Sequence, residues 1–163
     1  MKTLNAFRLA AASVLALGVV NAHAAGTASD TMNLQATVVA NCTISSADID
    51  FGDYDLVVAN ASAAADANGD VTTACTLGSA PTLSISTGNN FNAGTRRLRQ
   101  GTSSDYLNYS LYSDNYTTLW VDGVAVTTPT GAAVTNNIRA RLPGGQNKPV
   151  GIYNDAVTIT VTF

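Results

Sequence analysis

Residues 156–163 (AVTITVTF) alternate without a break: Val157, Ile159, Val161 and Phe163 share one face, and Thr158, Thr160 and Thr162 the other. A period of two belongs to an extended strand with one buried face, and a helix cannot sort these residues. The same period recurs along the chain. In residues 31–40 (TMNLQATVVA), Met32, Leu34, Ala36 and Val38 fall on one side, and Asn33, Gln35 and Thr37 on the other. In residues 106–113, Leu107, Tyr109 and Leu111 oppose Asn108, Ser110 and Tyr112; further on, Ile138, Ala140 and Leu142 oppose Arg139 and Arg141. Shorter strands are predicted at 49–54, 71–75, 82–86 and 118–121, the last closing at Asp122-Gly123. Residues 56–70 read as a loop ending in an Asn68-Gly69 turn, and Gly88-Asn89-Asn90 marks another. Beyond the first twenty residues nothing sustains a helical period. Several short strands in a chain of this size predict an all-β sandwich.

The N-terminus follows a different rule. A basic start with Lys2 and Arg8 precedes an apolar run, residues 9–20, and Ala22-His23-Ala24 supplies small residues at the two cleavage positions. This is the three-part pattern of a secretory signal peptide, residues 1–24. The run is shorter than the roughly 20 residues of a permanent membrane span. Cleavage after Ala24 leaves six Lys and Arg against eleven Asp and removes the only His. His-based catalysis and His-ligated zinc are thereby excluded from the exported part, and its acidic balance does not suit a nucleic-acid partner. In an oxidising compartment the two cysteines, Cys42 and Cys75, read as one disulfide worth roughly 3–4 kcal/mol by loop closure.

Other motifs give bland readings. The stretch 66–70 (DANGD) lacks the ligand register and closing Glu of a calcium loop. Arg96, Arg97 and Arg99 read as a solvated strand face or loop, with contact to an acidic patch of another subunit as the sharper alternative. Tyr106, Tyr109, Tyr112, Tyr116 and Trp120 could offer flat faces to a sugar, but alternation buries Tyr109 and packing is the default. Asp105, Asp114 and Asp122 show no spacing of an opposed glycosidase pair. No catalytic residue, metal ligand or cofactor site is expected, and the chain is not expected to be an enzyme.

Several runs together resemble a known family. Asn41-Cys42-Thr43-Ile44 with the following Phe51-Gly52-Asp53-Tyr54 looks like the opening of a spore coat protein U domain. So do Thr73-Ala74-Cys75-Thr76, residues 107–114 (LNYSLYSD) and Leu119-Trp120-Val121-Asp122-Gly123. The ending resembles it most: Gly145-Gln146, then Gly151-Ile152-Tyr153-Asn154-Asp155 leading into 157–163. Two departures stand out: Val121 where the family often has Gly, and Ala36, small for its position.

Members include the secreted pilins of archaic, Csu-type chaperone–usher pili. The resemblance implies an incomplete immunoglobulin-like β-sandwich lacking its last strand, completed by donor-strand complementation. A periplasmic chaperone lends the strand first; the N-terminal extension of the next subunit then replaces it. Carried onto this chain, residues 25–40 are the donor extension, with anchors Met32, Leu34, Ala36 and Val38, and residues 41–163 the pilin domain. Alternation alone favours the ordinary first strand of a complete sandwich, because it reports only one buried face; the resemblance reverses that reading. Val157, Ile159, Val161 and Phe163 would border the acceptor groove and pair with the chaperone. Expected partners are the chaperone, an outer-membrane usher and identical or sibling subunits, with export to the periplasm and then the cell surface. Two alternatives remain: a spore or cell-coat structural protein, and a free-standing secreted carbohydrate-binding sandwich.

Overall fold

The computed structural model describes residues 25–120, 124–125 and 131–163. The expected signal peptide, Val121 and the Asp122-Gly123 hairpin lie outside the described residues. The chain divides into two units, residues 1–36 and 37–163. In the first, the described residues 25–36 form no strand and are exposed throughout. Residues 37–40, at the start of the second unit, also form no strand, so the strand expected over 31–40 is absent.

The second unit is all-β among its described residues, in two sheets. The larger contains β1 (Cys42–Ser46), β2 (Ala65–Cys75), β4 (Arg96–Gln100), β5 (Tyr106–Tyr112), β7 (Ala133–Leu142) and β8 (Tyr153–Asn154), in the spatial order β1-β2-β7-β5-β4-β8. The smaller contains β3 (Thr82–Ile85), β6 (Val124–Ala125) and β9 (Ile159–Thr162), in the order β6-β3-β9. Among the described residues every strand pairing is antiparallel.

The core lies where the inward faces meet. Leu107, Tyr109 and Leu111 of β5 and Ile138, Ala140 and Leu142 of β7 are buried, as alternation predicts. They meet Leu83 and Ile85 of β3, Val71 of β2 and Trp120. Cys42 and Cys75 stand directly opposite across β1 and β2 and are bonded, S–S 2.07 Å. The disulfide therefore fastens an edge strand to its neighbour.

Three local readings need correction. Asn68-Gly69 makes no turn: β2 runs straight through it, with Asn68 opposite Arg139 and Gly69 opposite Ile138. Gly69 is there for a packing reason, since a Cβ would lie 2.5 Å from Cγ1 of Ile49, and only glycine lets that side chain cross the strand so closely. Residues 49–54 are no strand either. Gly52 has a φ of +66° and its N–H bonds to the Asp50 carboxylate (2.8 Å), which turns the backbone out of an extended path. Lastly, of the alternating stretch 156–163 only β9 keeps strand geometry, and Phe163 is exposed.

Candidate functional site: an open groove along the sandwich

β9 sits at the edge of its sheet and pairs on one side only, with β3. Thr160 faces Ser84, and the Thr158 carbonyl accepts from the Ser86 N–H (2.8 Å). In an antiparallel strand alternate residues send both backbone groups to the same side. Val157, Ile159 and Val161 therefore aim their N–H and C=O groups away from β3, where no strand meets them among the described residues. Their side chains point inward and are half-buried.

That open edge borders a groove. Its first part is a cavity of about 670 Å³, walled by residues 46–51 on one side and 154–157 with Ile159 on the other. Its floor is the core itself: Ile85, Leu98, Tyr109, Leu111, Ile138 and Ala140. A second cavity of about 760 Å³ continues between residues 49–57 and 148–155, over Leu98, Leu107 and Leu142. The two share Ile49, Asp50, Phe51, Leu98, Asn154 and Asp155, so they form one trough. Val57, Val150 and Ile152 stand exposed along the second part. An apolar floor between two walls, one of them an unpaired strand edge, has the chemistry of a receptor for an extended segment with alternating apolar side chains.

One feature crosses the trough. The Phe51 ring of one wall lies 6.5 Å from the Tyr109 ring of the floor, centroid to centroid. The Tyr109 hydroxyl donates to Oδ2 of Asp155 on the other wall (2.7 Å). Oδ1 of Asp155 accepts from the Asn90 backbone N–H (3.1 Å) and side-chain amide (3.0 Å). Burial, and then this bond to the carboxylate, push the Tyr109 phenol up, so it stays a neutral donor.

The expected site residues separate into groups. Val157 and Ile159 line the groove; Val161 and Phe163 do not. Met32, Leu34 and Val38 are 83%, 87% and 82% exposed, Ala36 is exposed too, and none of the four lines either cavity. The sequence pattern assigns no site role to the wall at 46–57, to the cross-bar or to Asp155. The interleaving of Ile49 and Phe51 with Asp48, Asp50 and Asp53 carried a signal for that wall: an apolar face with no regular strand to hold it. Asp155 closes the run 151–155 that carries the family resemblance, but alternation gives its carboxylate no role.

The other motifs are occupied internally. Arg96 donates to the carbonyls of Ser86 and Ile85, Arg97 to that of Asn90, and Arg99 to those of Ser103 and Thr102. Asp114 accepts from Thr117 and Thr118 within its own turn, which holds its carboxyl well below the usual range. Asp66 is paired with Arg141, and the guanidinium lowers its pKa. Among the described residues no group of three or more His, Cys, Asp or Glu could hold a metal ion, and no helix could cross a membrane.

The two sheets and the open side between them define an incomplete immunoglobulin-like β-sandwich. The Spore Coat Protein U domain family matches residues 28–160, and the chain belongs to that family. It is 34% identical over 179 aligned residues to Protein U of Myxococcus xanthus, covering 98% of this chain and 100% of that protein. Its fold is similar to a chain in the CsuC–CsuE chaperone–tip adhesion subunit pre-assembly complex from the archaic chaperone-usher Csu pili of Acinetobacter baumannii. There the TM-score is 0.61 at 19% identity, over 78% of this chain and only 40% of that one.

Proposed function

We propose that the protein is a structural subunit of an extracellular chaperone–usher pilus that polymerises by donor-strand exchange and supports surface attachment and biofilm formation. The observation that carries this reading is the trough: two adjoining cavities over the apolar core, next to a strand whose outer edge pairs with no other strand among the described residues. A complete domain would fill that side with its own last strand. The occupant is read as the N-terminal segment of another copy, through Met32, Leu34, Ala36 and Val38. Burying a large aliphatic side chain contributes roughly 1.5–3 kcal/mol, so the three large anchors with Ala36 together contribute about 5–10 kcal/mol before ordering costs. A contact made head to tail does not close on itself and builds a filament. Before assembly the groove would be held by a periplasmic chaperone, with an outer-membrane usher for export; the likeness to a chain of a chaperone–subunit complex favours the first.

The test is deletion of residues 25–38. The truncated chain is expected to bind its chaperone and fail to polymerise. A truncated chain that stays a stable, soluble monomer with no chaperone would overturn the reading of the groove. Membership of the Spore Coat Protein U domain family favours one second reading, a coat protein assembled by the same edge pairing. Fractionation separates them: a pilus subunit is recovered in sheared surface filaments, a coat protein in the coat.

A further inference from the structure

Resting on the donor-strand reading, we infer the register of insertion: Ala36 of one copy crosses the groove of the next at the bar formed by Phe51, Tyr109 and Asp155. The bar runs from wall to floor to wall, with ring centroids 6.5 Å apart and a 2.7 Å hydrogen bond. It lies where the two cavities meet, since Phe51 and Asp155 line both. An apolar strand threading the trough therefore has room for large side chains on either side of the bar and for a small one over it. The donor face has that profile. Met32 and Leu34 are large, Ala36 is small, Val38 is large again, and these four alternate on one side. The small side chain that looks like a weak anchor is the one the bar requires.

The direction follows from the sheets, in which every pairing is antiparallel. Continuing that order from the free edge of β9 along the chain that leads into it sets Met32 beside Ile159, Leu34 beside Val157 and Ala36 beside Asp155. Parity agrees: Val157 and Ile159 point inward, as the donor anchors must. Met32 and Leu34 then fill the first cavity and Val38 enters the second. On the outer face the same register places Asn33 opposite Thr158.

Two measurements on the full-length chain test the register. The first is assembly yield, read as the ladder of polymers after co-expression with the chaperone. Ala36→Leu is expected to lower it at least tenfold, and Phe51→Ala in the same chain to restore most of it. Residue 36 is exposed in the unassembled chain, so this loss is not one of folding. The second is cysteine trapping between copies. Thr158→Cys is expected to cross-link with Asn33→Cys at least fivefold more than with Gln35→Cys or Val39→Cys. Preferential trapping at residue 35 would mean a register shifted by two, and at residue 39 a parallel strand; either overturns the inference. So does an Ala36→Leu chain that assembles as well as the parent, or one that Phe51→Ala does not rescue. If deletion of residues 25–38 leaves assembly intact, the donor-strand reading itself fails. If the deletion abolishes assembly while these variants misbehave, only the register does.

Discussion

At the scale of single residues, the groove depends on side chains that hold its two walls apart and in place. Asp155 is the clearest case. It takes three donors, from Tyr109 and Asn90, and sits at the point where the chain leaves β8 and approaches β9. Room for it comes from Gly88, where a Cβ would lie 2.1 Å from Oδ2 of Asp155 and where φ is +93°. Alanine there meets both a strained backbone and a displaced carboxylate. Gly88→Ala is expected to destabilise the domain by about 2–4 kcal/mol, combining left-handed strain with a broken hydrogen-bond set. Gly78→Ala supplies the control, because Gly78 has a similar φ of +90° but opens onto empty space. Urea unfolding midpoints of the two variants check this; equal losses would mean that Asp155 contributes nothing. Tyr109 illustrates the complementary point. Its ring belongs to the core that alternation predicts, and its hydroxyl fixes a wall, a role that no periodicity signals.

At the scale of elements, the central strands are what the sequence declares and the groove walls are what it conceals. β5 and β7 alternate because each buries one face against the other sheet, and their core residues follow from spacing alone. Asn68-Gly69 misleads because a dipeptide that usually bends a hairpin serves here as a flat place in β2 for Ile49 to lie across. That requirement is tertiary, set by a residue twenty positions away, and no local rule contains it. Gly69→Ala should push Ile49 off the strand and disturb the first wall. The expected cost is about 1–3 kcal/mol from overpacking, with weaker donor binding. Thermal denaturation and the polymer ladder measure the two effects, and an unchanged ladder would remove the wall at 46–51 from the acceptor site. The wall is also the part of the 49–54 reading that failed. Its apolar residues keep their inward positions, but Gly52 and Asp50 bend the backbone away from strand geometry.

At the scale of the whole molecule, the fold is a β-sandwich with a groove along one side, and the proposed function assigns that groove to the alternating segment 32–38 of another copy. The surface chemistry agrees. Charged residues make up only 12% of the chain, and Ser, Thr and Asn clothe outer strand faces where charges ordinarily sit, which fits the proposed role of a subunit partly covered by neighbours. The family was legible in the order of short motifs around the two cysteines and at the C-terminal end; the trough was not, because a cavity is a property of packing and leaves no period. The proposed function turns on backbone pairing at the free edge of β9, and site-resolved amide hydrogen exchange reads that pairing directly. The N–H groups of Val157, Ile159 and Val161 point away from β3. In polymers of the full-length chain they should exchange at least a hundredfold more slowly than in chains lacking residues 25–38. Equal rates in the two states would contradict the account, because no strand would then have been added to that edge.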